Sequence, residues 1–193
     1  MIESAADLRA WLKENHSKNE SVWLVKWKKE TNRPFVSYDE IVDQCICFGW
    51  VDSLPRKLDN ERTMLRISPR NPKSNWSKLN KERVKTLQAA GLMHPSGLKM
   101  VELAKQTGTW DFLDDVENLL VPDDLAEELK KYKKAAYYFE RFPPSSKRGI
   151  LEWIKMAKTE KTRQKRIVET ATKAAENIKA NYPKGRDAGP PDN

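Results

Sequence analysis

Residues 66–80 contain the side chains best suited to binding an anion. Pro69 and Pro72 stiffen this segment, which leads into a predicted helix that begins near Ser74 to Ser77. Free backbone N–H groups and the positive end of the helix dipole attract anions at such a start. Arginine forks, hydroxyl groups and an indole ring would add ionic, hydrogen-bonding and stacking contacts. The predicted ligand-binding residues here are Arg66, Arg70, Ser74, Trp76, Ser77 and Asn80.

Three of these residues also have an ordinary structural interpretation. Ser77 is a typical helix N-cap, because its hydroxyl can accept a hydrogen bond from the first turn. Trp76 can fill a core, and Asn80 can stabilise a turn. Both interpretations stay open for each residue, and it is their joint occurrence that favours an anion site.

Trp50 and Asp52 could extend the same binding surface or form a catalytic site. A carboxylate whose pKa is raised by an apolar neighbour can act as a general base, so Asp52 in a pocket walled by Trp50 and Trp76 would make a small enzyme. The structural alternative is a carboxylate that pairs with an arginine or caps a turn. The sequence has no glycine-rich phosphate loop, no serine elbow and no HExxH helix, so it favours a non-enzymatic protein and identifies no catalytic residue.

The cysteines and histidines do not predict a metal site. Cys45 and Cys47 lie two residues apart in a predicted helix, where their side chains point to different faces. His16 and His94 are widely separated, so no four-ligand zinc site can be assembled at a recognisable spacing. We expect unpaired thiols in a reducing compartment, no metal and no cofactor.

Positive charge is concentrated in two segments. The net charge is +8, yet residues 56–85 carry an excess of seven positive charges and residues 144–179 an excess of six, whereas residues 106–143 carry an excess of four negative charges. This segmentation favours an anionic partner, either a phosphorylated small molecule or nucleic acid. The C-terminal basic segment would add Lys158, Arg163 and Arg166 to the binding surface.

The same charges have two other interpretations. Lysine-rich helix faces can simply keep a protein solvated. Alternatively, the acidic segment 111–128 and the basic segments could meet between two copies of the chain, which would make the protein a homo-oligomeric interaction module with a protein partner.

The elements that must position these residues predict an α+β fold that is mainly helical, with a small antiparallel sheet of about three strands in the N-terminal half. β-Branched and aromatic residues predict a strand at 21–28, and strands at 50–54 and 63–68 would form a hairpin around the polar turn 58–61. Pro55 predicts that 50–54 is an edge strand or ends early. Periodicity and caps predict helices at 4–15, 37–48, 77–90, 95–106, 122–131, 135–142, 145–157 and 159 to about 180.

The length of 193 residues predicts a single domain. We expect it to span 1–182, with an α+β part at 1–80 and a helical part at 81–182, followed by a disordered tail at 183–193 that is rich in Pro, Gly and Asp. The N-terminus lacks the pattern of a signal peptide, and no apolar run is long enough to cross a membrane. We therefore expect a cytoplasmic protein without membrane insertion.

Several short motifs follow one another in a family-specific order from Trp11 to about Ile178. They are Cys47-Phe48-Gly49-Trp50-Val51-Asp52, Ser68-Pro69-Arg70, Ser74, Trp76-Ser77-Lys78, Asn80, Pro143-Pro144-Ser145, Trp153-Ile154, Ala157-Lys158, Thr162-Arg163 and Arg166-Ile167. Together they closely resemble the bacterial YdeI/OmpD-associated family.

The resemblance implies a compact α+β domain and a role in bacteriocin protection, with a link to an outer-membrane porin and no settled enzymatic activity. Without a signal peptide, any protective effect is expected to act from the cytoplasm. The family supplies no agreed catalytic residues. The motif positions that the resemblance marks as a shared surface are Trp50, Asp52, Arg70, Ser74, Trp76, Ser77 and Asn80.

Overall fold

The structure, a computed structural model, describes residues 1–181. Backbone contacts divide the chain into two compact units, Met1–Phe112 and Leu113–Asn193. The first unit combines a sheet with α-helices, and the described part of the second is helical. Within residues 1–181, no helix is long and apolar enough to cross a membrane.

Helix α1, Ala5–Asn15, opens the first unit and is fixed at its start by side chains. The Ser4 hydroxyl accepts a hydrogen bond from the backbone N–H of Asp7 (3.1 Å), and the backbone N–H of Glu3 donates to the Asp7 carboxylate (3.0 Å). Leu8 and Leu12, one turn apart, are buried. This face packs against helix α2, Tyr38–Phe48, whose capping box pairs Ser37 with Glu40.

Three antiparallel strands form one sheet in the order β1-β3-β2, with β1 at Val22–Trp27, β2 at Trp50–Lys57 and β3 at Arg62–Pro69. Strands β2 and β3 form a hairpin, and the strand order places β2 at an edge of the sheet. Pro55 is tolerated there because an edge strand does not need every N–H group. The register of β2 against β3 shifts between Asp52 and Pro55, which marks a bulge.

The two faces of the sheet have different compositions, because side chains alternate along each strand. Leu24, Leu65 and Ile67 point into the core and are at most 6% exposed. Trp23 and Arg66, which pair across β1 and β3, lie on the opposite face, and Trp23 is 38% exposed. We call this second surface the outer face of the sheet.

The turn from α2 into β2 is buried and heavily hydrogen-bonded. Gly49 ends α2 with φ +75°, a left-handed conformation that favours glycine. Three successive carbonyl groups accept hydrogen bonds from distant residues: Cys47 O from His94 N (3.0 Å), Phe48 O from Ser96 Oγ (2.9 Å) and Gly49 O from Arg70 N (2.9 Å). The turn therefore ties the end of β3 and the start of α4 to α2.

Helices α3, Lys78–Ala89, and α4, Pro95–Thr107, complete the first unit. Gly97 brings α4 against the end of α2, because a Cβ atom built on it would lie only 2.2 Å from Cys47 O. Val84 of α3 and Val101 of α4 are both buried in the core of this unit.

The second unit consists of helices that pack around its last long helix. Helix α9, Glu160–Ala175, contacts α6 (Asp123–Lys130), α7 (Ala135–Arg141) and α8 (Pro144–Lys155), while the single turn α5 is Asp114–Glu117. The core of the second unit includes Ile150, Ile154 and Ile167, all at most 1% exposed. Ion pairs join these helices at their surfaces: Lys155–Asp115 (2.5 Å), Arg148–Glu117 (2.9 Å) and Arg163–Asp124 (2.7 Å).

The α+β class, the three-stranded antiparallel sheet and the edge position of the Pro55 strand are confirmed. Some boundaries were wrong. Strand β2 continues to Lys57 because the bulge lets the chain resume pairing after Pro55, helix α5 was not predicted, and α9 ends at Ala175 rather than near 180. The predicted tail at 183–193 lies outside the described residues, and the single domain 1–182 with a boundary at 80 stays a prediction.

Replacing Gly97 by alanine tests the contact between α2 and α4. We expect Gly97→Ala to lower the free energy of unfolding by about 1–3 kcal/mol, because the added methyl group meets a backbone carbonyl that cannot move aside. Urea unfolding followed by circular dichroism measures this change.

Gly149→Ala is the matched control. Gly149 also lies inside a helix, and a Cβ atom there would meet nothing within 4 Å. This variant should gain about 0.5–1 kcal/mol of stability from the better helix propensity of alanine. Equal effects of the two substitutions would contradict the close approach at Gly97.

Candidate functional site

A cleft lies between α3 and α4 in the first unit. It has a volume of about 580 Å³ and includes the indole of Trp110, which follows α4. Buried Val84 and Val101 supply its apolar floor. The other residues that line it, which we call with these three the α3–α4 cleft, are Lys78, Lys81, Glu82, Lys85, Gln88, Ala89 and Lys105.

Four lysines surround this apolar cleft, against one glutamate. Lys81 lies 3.8 Å from the carboxylate of Asp111. Lys85 and Lys105 have no carboxylate partner among residues 1–181. Lys105 Nζ lies 5.7 Å and Lys81 Nζ 5.8 Å from the centre of the Trp110 ring, within cation–π range. The cleft therefore combines a flat aromatic surface with positive charges.

Trp110 belongs to a stack that reaches a buried arginine. Its ring centre lies 5.1 Å from that of Trp76, and the guanidinium carbon of Arg70 lies 3.8 Å above the Trp76 ring. The backbone N–H of Trp76 donates to Thr109 O (3.2 Å), which fixes the two indole-bearing segments together. Trp76 is 2% exposed, so it supports Trp110 from inside the core.

Arg70 carries a positive charge that no acid in the described chain neutralises. It is 7% exposed, donates one hydrogen bond from its NH2 nitrogen to Asn75 O (2.7 Å), and has no ion-pair partner among residues 1–181. Its Nε atom is buried without a hydrogen-bond partner. Burial lowers the pKa of the guanidinium to about 10, which still leaves it charged at neutral pH.

The remaining polar residues of the 66–80 segment hold their own loop. Ser74 Oγ donates to Asn71 O (2.7 Å), and Ser77 caps α3 by accepting a hydrogen bond from the backbone N–H of Asn80 (3.3 Å). Asn80 sits in the first turn of α3 and is half-buried. Arg70 and Trp76 thus belong to one stack of side chains. Ser74, Ser77 and Asn80 lie in the loop and at the start of α3 instead.

Arg66, Trp50 and Asp52 lie on the sheet. Arg66 donates two hydrogen bonds to Ser21 Oγ (3.0 and 2.9 Å) on the outer face. Trp50 is 1% exposed and donates from its indole to His16 O (3.0 Å). Trp50, like Trp76, is therefore a core residue.

Asp52 accepts a hydrogen bond from the hydroxyl of Tyr38 (2.6 Å). This bond, with partial burial and the charge of the carboxylate, raises the pKa of Tyr38 to about 12, so the hydroxyl keeps its proton at neutral pH. The contact joins the first turn of α2 to β2 and gives Asp52 a structural partner on the protein surface.

Of the basic residues predicted in the C-terminal segment, Arg163 is held by two hydrogen bonds to Asp124 (2.7 and 2.9 Å). Arg166 donates to the backbone of Trp153 and lies 5.0 Å from its ring centre, whereas Lys158 is exposed. Two of the three thus have partners inside the second unit.

The sequence did not predict three residues of the cleft as site residues: the cations Lys85 and Lys105, and the aromatic residue Trp110. Lys81 and Lys85 are four residues apart and therefore lie on one face of α3, which periodicity could have indicated. Nothing in the sequence reveals that Lys105 and Trp110 stand opposite that face, because this depends on how α3 and α4 pack.

The two histidines, His16 and His94, lie together beside the buried turn from α2 into β2. The rings of His16 and His94 lie 4.6 Å apart, and His94 stacks on Phe48 at 4.7 Å. His94 also caps α4, since its Nδ1 accepts from the backbone N–H of Ser96 (3.3 Å). Among residues 1–181, no cluster of three or more His, Cys, Asp or Glu side chains could hold a metal ion.

Two family models match this chain. The model of a domain of unknown function (DUF8412) matches residues 1–100. A model described as bacteriocin-protection, YdeI or OmpD-associated matches residues 118–177. The predicted resemblance is therefore confirmed for the C-terminal motifs, whereas the motifs at 47–80 lie in the segment that the DUF8412 model matches. The curated proteins and the solved structures gave no significant match.

The histidine cluster predicts a pH dependence of stability. Burial, and then electrostatic repulsion from the neighbouring basic residues His16, Arg9 and Lys13, lowers the pKa of His94 below its usual value of about 6.5. The unfolded chain therefore binds this proton more tightly than the folded chain. We expect the contribution of His94 to stability to be complete above about pH 6.5 and to be lost as the pH falls through the lowered pKa.

His94→Asn removes the titrating ring and keeps an N-cap side chain. The free energy of unfolding of both proteins, measured by urea at a series of pH values, should converge as the pH falls below about 6.5. Two parallel curves across this range would contradict the coupling.

Proposed function

This chain belongs to the family of a domain of unknown function (DUF8412), and it carries a segment of the bacteriocin-protection, YdeI or OmpD-associated family. We propose that it is a non-enzymatic binding protein. Its ligand is a phosphorylated small molecule with a flat ring, held in the α3–α4 cleft. The family descriptions name no ligand, so the ligand class rests on the chemistry of the cleft.

The observation that carries this proposal is the combination of an apolar wall with unpaired cations. Trp110 offers a ring face on which a planar group can stack. Lys85 and Lys105 flank it without a carboxylate partner in the described chain, so an arriving phosphate would meet no competing carboxylate on them. A cleft of about 580 Å³ is of the size that small-molecule sites usually have.

The charge distribution of the first unit supports an anion over a neutral ligand. Lys78 and Lys81 also line the cleft, against Glu82 in its lining and Asp111, which lies 3.8 Å from Lys81. Arg70 adds a further positive charge against the Trp76 ring, and it has no ion-pair partner within residues 1–181. Such a concave, one-sign surface concentrates oppositely charged solutes.

The catalytic alternative through Asp52 has less support. Asp52 is held by Tyr38, and the two indoles that would wall its pocket are core residues. Indoles that are 1% and 2% exposed do not present their rings to a substrate beside a general base. We also propose the cytoplasm as the location, with which the unpaired thiols of Cys45 and Cys47 agree.

Thermal unfolding in the presence of inorganic phosphate, adenosine and adenosine diphosphate tests the proposal. Adenosine diphosphate at roughly 100 times its dissociation constant should add about 2.7 kcal/mol of stability, a rise of about 5–10 °C in the midpoint. Phosphate or adenosine alone should give less, because each uses only one half of the cleft.

The variants Lys85→Gln, Lys105→Gln and Trp110→Leu should each reduce the shift, since they remove a cation or the stacking wall. Lys133→Gln is the control, because Lys133 is an exposed lysine of the second unit. The proposal would be overturned if Lys133→Gln reduced the shift as much as the cleft variants do. It would also be overturned if none of the three compounds shifted the midpoint.

A further inference from the structure

The outer face of the sheet is a second surface with a chemistry of its own. Trp23 and Trp27 point outward from β1, and Arg66 and Arg62 are their partners on β3. Arg56, on β2, reaches across the sheet with its guanidinium carbon 5.0 Å from the centre of the Trp23 ring. Two indoles and several guanidinium groups therefore alternate on one open surface.

The tryptophans keep exposed ring area on this face. Trp23 is 38% exposed, although its ring also contacts Arg56. Trp27 is partly exposed, with Arg33 5.4 Å and Arg62 5.9 Å from its ring centre and its indole N–H donating to Glu3 (3.2 Å). The exposed part of each indole is available for contact with a planar partner.

Arginines outnumber acids on the same face, where the carboxylate of Glu3 lies against Trp27. Arg62 is paired with Asp59 (2.7 Å), and Arg66 bonds to the neutral hydroxyl of Ser21. Arg33 and Arg56 have no carboxylate partner among residues 1–181. The partner that complements this face is therefore an anion with planar, stacking groups.

We propose that the outer face of the sheet binds single-stranded nucleic acid. Each unpaired base has a flat face that can stack on an indole, and each linking phosphate can pair with a guanidinium group. Trp23 and Trp27 stand four residues apart on one strand, or roughly 13 Å, so the same chain can engage both with its backbone along the arginines. In a duplex the bases are paired and stacked on one another, which leaves no ring faces for the indoles.

An acidic peptide would satisfy the charges but not the indoles. Its carboxylates would pair with Arg33 and Arg56, yet it offers no planar groups to Trp23 and Trp27. The arrangement of both groups on one surface favours nucleic acid, and the peptide is a separate outcome of the test.

Fluorescence anisotropy of a labelled single-stranded DNA of about 12 nucleotides, added to the full chain, tests this proposal. The affinity should fall steeply between about 50 and 200 mM salt. Trp23→Leu should weaken binding about five- to 150-fold, because it keeps an apolar side chain but removes the stacking ring. Arg56→Gln should weaken binding and reduce the slope of log affinity against log salt by about 0.7.

Tyr137 and Arg141 provide a matched control pair in the second unit. Arg141 lies 3.6 Å from the ring centre of Tyr137, which is 46% exposed, so this pair resembles Arg56 and Trp23 away from the sheet. Tyr137→Leu and Arg141→Gln should leave binding unchanged. Circular dichroism confirms that each variant is folded, and because Arg56 is exposed, Arg56→Gln remains informative if Trp23→Leu fails to fold.

Three results would overturn the proposal: equal binding of the single strand by the sheet variants and the original chain, tighter binding of a duplex of the same sequence, or equal binding of a poly-glutamate peptide. The proposal does not depend on the α3–α4 cleft. Trp110→Leu should leave binding of the single strand unchanged, and Trp23→Leu should leave the shift with adenosine diphosphate unchanged, so the two sites fail or succeed separately.

Discussion

The buried turn that follows helix α2 is the constraint on which the first unit depends. Its carbonyl groups lie in the core, where an unpaired acceptor is costly, and residues distant in the sequence satisfy them. One of these bonds fixes the end of β3 at Arg70, and two others fix the start of α4 at His94 and Ser96. The absence of a side chain at Gly97 lets α4 approach closely enough to make them.

The position of the cleft follows from this turn. Anchoring α4 at its first residues sets the direction in which Lys105 and Trp110 emerge at its far end. Anchoring Arg70 sets the loop that carries Trp76 beneath Trp110. A buried guanidinium without an acid nearby is unfavourable by itself, and stacking on an indole offsets only part of its lost hydration. The first unit therefore carries an uncompensated positive charge as part of its structure.

The sequence predicted the fold class, the sheet and most helices, because alternation, periodicity and capping residues such as Ser37 and Ser77 act locally. It also predicted Arg70 and Trp76 as ligand-binding residues, which stays a prediction. It could not distinguish a ligand-facing Trp76 from a buried one, since both interpretations suit the same residue. Lys105 and Trp110 were missed because their role arises from the packing of helices that are not adjacent in the sequence, and the outer face was missed because only strand register brings Arg56 to Trp23.

The indole N–H resonances of the seven tryptophans provide the most direct test of the cleft. Each indole gives its own signal in a two-dimensional nitrogen–proton spectrum of the full chain, and Trp110 and Trp23 report on different surfaces. During a titration with adenosine diphosphate, we predict a saturable shift of the Trp110 signal, a smaller shift of the Trp76 signal and no shift of the Trp23 signal. A Trp110 signal that stays in place while adenosine diphosphate binds would show that the cleft is not the ligand site.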